Sequence, residues 1–209
     1  MFHDDDFLSA SGVLLSREFF GESRVQLKLF LKDIGIIYAT ARKSSGETEP
    51  FVWGKFSLQK KQKGKSYFVQ DTEIIDDMYC VRAGRNKILT ALNWTKLISQ
   101  HLLSEQPDND LLANLYWNLK LLCIQTIPEE AVNWRFLWKW IEIWGLAPDF
   151  VKFHIAMNFN DNEIILLAKI IESDFEGVVN IFSTTLENDI RENIFRVAAK
   201  TAVKFLHEK

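Results

Sequence analysis

From Ser11 to Asp77 apolar and polar residues alternate with a period of two, and turn-forming residues break the alternation at intervals that suit short strands. Five strands are predicted: Gly12–Phe20, Ser23–Lys32, Ile36–Ala41, Phe51–Lys61 and Ser66–Asp77. The second alternates most cleanly. Val25, Leu27, Leu29 and Leu31 fall on one face and Arg24, Gln26, Lys28, Phe30 and Lys32 on the other, because successive side chains of a strand point to opposite sides. Gly21-Glu22 and Asp33-Ile34-Gly35 read as turns, Gly35 being free to take positive φ. Arg42–Pro50 reads as a polar loop, and Lys63-Gly64 as the tip of a hairpin. Five short strands with one long interruption suit a small five-stranded OB-like β-barrel, and an SH3-like barrel would leave the same pattern.

After Asp77 the period becomes helical. Asn86–Glu105 carries Ile88, Leu89, Leu92, Leu97 and Leu102 on one stripe and is stopped by Pro107. Asp108–Thr126 carries Leu112, Leu115, Leu119 and Leu122, and a third helix opens at Pro128-Glu129-Glu130 and ends at Gly145. Asp161 is placed as the cap of a fourth, Glu163–Glu172, and Leu186–His207 forms the last. The fold class is therefore α+β, an N-terminal barrel domain over residues 1–80 followed by an all-helical domain over residues 81–209. Trp134, Trp138, Trp140 and Trp144 crowd the third helix. Trp134, Trp138 and Ile141 share a face, so a core helix with Trp140 or Trp144 at an interface accounts for them without a cofactor.

Charge alters this picture. The net charge of −3 conceals a split: residues 7–70 carry 11 basic against 5 acidic side chains, residues 71–209 carry 14 against 20, and Asp4, Asp5 and Asp6 supply the remainder. A basic first third is the footprint of a phosphate-binding module. Its candidate cations are Arg17, Arg24 and Lys28 along one barrel face, Arg42 and Lys43 in a loop, and Lys55, Lys60, Lys61, Lys63 and Lys65 on a hairpin rim. Phe30, Tyr67 or Phe68 could offer a stacking platform, although a partly covered aromatic is the plainer account of Phe30. A solvated hairpin tip is the competing account of the lysines.

No nucleophile with a base, paired-carboxylate motif, glycine-rich phosphate loop or metal-ligand spacing is present, and His3, His101, His154 and His207 are scattered singly. No catalytic site, metal or cofactor is expected. Cys80 and Cys123 form no CxxC pair and read as buried free thiols, which points to a reducing compartment. Met1–Asp6 is acidic where a secretory signal needs basic residues, and no run approaches the ~18 apolar residues of a membrane span. A cytoplasmic location with no membrane partner is expected.

Several stretches, in order, resemble the RecO family of recombination mediators. Gly12-Val13-Leu14-Leu15-Ser16-Arg17 is similar to the family's first strand and Gly21-Glu22-Ser23-Arg24 to its turn. Gln26-Leu27-Lys28-Leu29-Phe30, Asp33-Ile34-Gly35 and Ala41-Arg42-Lys43-Ser44 are similar to its second strand, the next turn and the end of its third strand. Phe56-Ser57-Leu58 and Thr72-Glu73-Ile74-Ile75-Asp76 fall where that family closes its barrel, and Trp138–Gly145 with Leu146-Ala147-Pro148-Asp149 resembles its helix ending in Gly and Pro-Asp. Two features depart. The glycine expected before the basic loop is missing from Ala39-Thr40-Ala41-Arg42, and no four-cysteine zinc knob comes after Asp149. The resemblance implies a non-enzymatic mediator of DNA repair that binds single- and double-stranded DNA, promotes annealing and loads a recombinase without ATP. It also implies RecR and single-stranded DNA-binding protein as partners, the acidic tail of the latter entering a helical-domain groove rimmed by Lys120, Arg135 or Lys139. An interaction adaptor that has lost DNA binding, or a barrel that binds RNA, is the alternative.

Overall fold

A computed structural model of the chain describes residues 7–20, 22–42, 49–61, 66–184 and 192–207. Two compact units divide it, Met1–Tyr116 and Trp117–Lys209. Strand gives way to helix where the periodicity changes, but the first unit also takes in the helices that come directly after the strands.

In the first unit β1 (Phe7–Phe20), β2 (Arg24–Leu31), β3 (Gly35–Arg42), β4 (Trp53–Lys60) and β5 (Tyr67–Asp76) close on themselves in the order β1-β2-β3-β5-β4. Among the described residues every pairing is antiparallel except β3 with β5. The long β1 serves two neighbours: Gly12 stands opposite Leu31 of β2 and Gly54 of β4, and a register shift between Leu14 and Ser16 bends the strand. A Cβ at Gly12 would lie 2.1 Å from the Phe30 carbonyl oxygen, so the close approach depends on the missing side chain. The alternating apolar positions meet inside the ring, where Leu14, Val25, Leu27, Leu29, Leu31, Ile37, Ala39, Ala41, Val52, Phe56, Leu58 and Val69 form one buried cluster.

α1 (Tyr79–Ala83) and α2 (Arg85–His101) come next, and α3 (Asn109–Leu122) spans the division between the units. The segment between α2 and α3 fastens to the ring. Glu105 N–H and the Ser104 hydroxyl both donate to the Ile36 carbonyl, at 2.9 and 3.0 Å, and Asn109 exchanges two hydrogen bonds with Asp33. Gly35, at φ +93°, turns beneath Gln106, whose carbonyl oxygen a Cβ there would meet at 2.2 Å. The residues buried by α2 are Ala91, Trp94, Thr95 and Ile98, while Leu89 and Leu92 are exposed. The expected leucine stripe is thus rotated, because one aromatic at Trp94 outweighs two leucines in buried area.

The second unit is organised on α4 (Glu129–Ile143), which packs against α6 (Asp161–Glu172) and α8 (Glu192–His207). Trp134, Trp138 and Trp140 are all buried, and Trp144 meets Trp140 edge-on at 5.1 Å. Two short helices, α5 (Phe150–Ala156) and α7 (Phe175–Thr184), stand where the periodicity predicts no element. Asn160 rather than Asp161 caps α6: its side chain accepts from Glu163 N–H while Glu163 reaches back to the Asn160 N–H. Residues 185–191, over which the last helix is expected to begin, lie outside the described residues.

Both cysteines are disulfide-bonded, which corrects the expectation of free thiols. Position along the chain does not report proximity in space, and the thiol argument for a reducing compartment goes with it. Among the described residues no helix is long and apolar enough to cross a membrane, and no group of three or more His, Cys, Asp or Glu residues is placed to hold a metal.

Candidate nucleic-acid interface

The register of β2 against β3 decides which cations meet. Arg24 stands opposite Arg42, Gln26 opposite Thr40 and Lys28 opposite Tyr38. Val25, Leu27 and Leu29 point into the ring, so these three rows lie on its outer face. Arg24 and Arg42 are exposed. Farther along the same face Phe30 and Ile36 are completely covered, which closes it at that end and removes Phe30 as a stacking platform.

Other candidates lie elsewhere. Arg17 is in register with core-facing Leu27, not with Lys28, and its Nη1 donates to Glu49 Oε1 at 3.1 Å with only 16% of the side chain exposed. It therefore does not share the face of Arg24 and Lys28. Lys55 is exposed on β4 opposite Glu73, and Ser57 on the same strand stands opposite Asp71, so acids surround it. Lys60 is exposed at the end of β4, and Lys61 closes the hairpin through its backbone N–H on the Ser66 carbonyl at 3.0 Å. Lys43, Lys63 and Lys65 lie outside the described residues. Tyr67 and Phe68 are half-buried, and Tyr67 packs against the ring core. Its hydroxyl is pushed above the ordinary tyrosine value by burial first, then by the charge of Glu105 and its hydrogen bond.

Where the open and covered parts of the outer face meet, a groove of about 340 Å³ runs between the strands and α2. From the strands it takes Leu15, Ser16, Glu18, Lys28 and Tyr38, and from α2 Leu92, Thr95, Lys96 and Ser99. Lys28 Nζ sits 5.3 Å from the centre of the Tyr38 ring, within cation–π range, and 42% of Tyr38 is exposed. The Thr95 hydroxyl donates to the Leu92 carbonyl at 2.9 Å and the Ser99 hydroxyl to the Thr95 carbonyl at 2.6 Å, so both oxygens are left as acceptors. Tyr38 and Lys96 are not among the candidates that the sequence singles out. Signals for them exist: Tyr38 alternates with Ile37 and Ala39, and residues 92, 95, 96 and 99 form one helical stripe.

In the second unit Arg135 is buried, 7% exposed, and wholly engaged: Nε donates to the Ile170 carbonyl at 3.2 Å, Nη1 to Asn118 Oδ1 at 3.2 Å and Nη2 to the Ser173 carbonyl at 3.0 Å. It is an internal clamp, not a surface cation. Burial lowers its pKa, with Glu142 and Asp174 opposing the shift. Lys139 is half-buried and paired with Glu142 at 3.1 Å, and Lys120 is half-buried. His154 is fully buried among Trp134, Trp138, Phe150, Phe153 and Phe159, its Nδ1 donating to the Phe150 carbonyl at 2.6 Å.

No family model matches the chain, and no curated protein matches it.

Proposed function

We propose that the chain is a non-catalytic nucleic-acid-binding protein whose contact surface is the outer face of β2 and β3, and that it serves DNA recombination and repair in the manner the RecO resemblance implies. The observation that carries the reading is the row of Arg24 against Arg42, with Lys28 on the same face two rows away. The strand order, with its parallel pairing of β3 and β5, supports an OB-like barrel. Barrels of that kind bind oligonucleotides on the face of strands 2 and 3 and on the loops after strands 1 and 4. In this reading the cations neutralise phosphates without reading sequence, and the helical unit holds partner proteins. RecR and the acidic tail of single-stranded DNA-binding protein are the partners that the resemblance supplies. Of the helical-unit cations proposed for that tail, Lys120 and Lys139 remain. The role is a cytoplasmic one and needs neither ATP nor a metal.

Salt dependence tests it. Each phosphate neutralised on a single strand contributes about 0.7 to the slope of log affinity against log salt. Replacing Arg24, Lys28 and Arg42 together by alanine should therefore flatten the slope by about 2 for a labelled single strand. Lys55→Ala, among acids, should change it little. A wild-type chain whose affinity shows no slope is the adaptor instead, and an unaltered slope in the triple variant rejects this face. The adaptor draws support from the acids around Lys55, the pairing of Arg17 with Glu49 and the internal engagement of Arg135.

A further inference from the structure

We propose that the groove between the outer face of β1–β3 and α2 is a subsite for one nucleotide of a single strand, with Tyr38 under the base and Lys28 and Lys96 on the adjoining phosphate; it rests on the nucleic-acid reading above. Three observations converge on it. The groove joins the open end of the cationic face, so a strand lying over Arg24 and Arg42 reaches it without turning away from the surface. Its volume of about 340 Å³ lies in the range of small-ligand sites, which start near ~300 Å³. Its lining holds both chemistries that a nucleotide needs: an aromatic ring with the apolar Leu15 and Leu92, and two ammonium groups.

Lys28 has two roles in this site. In the free protein its ammonium lies over the Tyr38 ring. An arriving phosphate draws that ammonium off the ring, because charge against charge is stronger than charge against a quadrupole, and the uncovered ring takes the base. Phosphate capture and stacking are thereby coupled. Glu18 repels phosphate and, with the Thr95 and Ser99 oxygens, supplies acceptors, so the subsite favours a base that carries an exocyclic amino group, cytosine over thymine.

The test uses the full chain, a short labelled oligodeoxycytidylate and a matched strand lacking bases. Tyr38→Ala should weaken binding of the oligodeoxycytidylate by about 5- to 150-fold, the loss of one stacked base, and should not weaken binding of the abasic strand, which no longer has to draw Lys28 off the ring. Tyr38→Phe should bind as the wild type does. Lys96→Ala, an exposed helical position where alanine is well tolerated, should lower the salt slope for both strands by about 0.7. If Arg24 and Arg42 prove necessary while Tyr38→Ala and Lys96→Ala change nothing, the subsite is rejected and the wider reading stands. If the wild type binds neither strand, or an acidic peptide competes in the groove while the strand does not, the subsite falls; in the first case the wider reading falls with it.

Discussion

Replacing Arg135 by alanine separates an internal clamp from a surface cation by the size of its effect. The guanidinium serves three acceptors. Alanine strands the Ile170 carbonyl inside the unit and takes the charged donor from the Asn118 amide oxygen, each at about 1–3 kcal/mol, whereas the Ser173 carbonyl is only partly buried and can turn to water. Adding the packing of the lost aliphatic stem brings the cost to at least about 3 kcal/mol. Trp117, Trp134, Trp138, Trp140 and Trp144, five of the seven tryptophans, belong to the second unit, so fluorescence during urea unfolding reports mainly on it. With a urea slope of about 2 kcal/mol/M the midpoint should fall by at least about 1.5 M at unchanged slope. Arg135→Met, which fills the volume but donates nothing, should recover only the packing part. A surface arginine would cost under about 0.5 kcal/mol, so a midpoint shift below about 0.3 M would refute the clamp.

Two further outcomes concern a buried imidazole and a strained turn. Desolvation holds His154 below the ordinary imidazole value of 6.5, the bond to Phe150 opposing it only in part. The unfolded chain then binds the proton first, so stability is complete above about pH 6.5 and falls as pH drops toward the folded value. His154→Phe, suited to the aromatic cage, should lessen the loss of stability between about pH 7.5 and pH 5.5; identical pH profiles for variant and wild type would sink this account. Gly35→Ala, at φ +93° against the Gln106 backbone, should cost about 2 kcal/mol or more in urea unfolding of the first unit followed by hydrogen exchange of the strand amides, and a neutral effect would show that the turn relaxes freely.

β2 is legible in the sequence because over most of its length it buries one face only, and a half-buried strand must alternate: it reads directly from Val25, Leu27, Leu29 and Leu31, whereas β3 is covered on both faces except at Tyr38 and Arg42. The helices are legible where they are long. α5 and α7 are short, and a few apolar residues such as Val178 and Phe182 leave too little period to recognise. The stripe of α2 is misplaced when leucines are weighed and Trp94 is not. At the candidate interface alternation alone separates Arg24 and Lys28 from the core. That Arg42 meets Arg24, or that Arg17 belongs to the other side, depends on register between strands, set by turns and bulges that alternation does not encode. Arg135 is misread for a related reason: a helix dense in tryptophan can be enclosed on all sides, and then even a cation points inward.

The closure of the ring is uneven, and its weakest point can be located. Seven residue pairs join β1 to β4, but among the described residues only Ala39 with Tyr67 and Thr40 with Phe68 join β3 to β5. Opening that seam breaks few hydrogen bonds and leaves the β1–β2–β3 meander and the β4–β5 hairpin intact. Amide hydrogens there should exchange through local breathing, and those between β1 and β2 only when the whole unit unfolds. Because β3 also carries Tyr38 and Arg42, the seam runs along a strand that presents the proposed contact surface; a ligand gripping β2 and β3 alone, which stay paired when the seam opens, would leave exchange there unchanged, and one that also reached β5 would slow it.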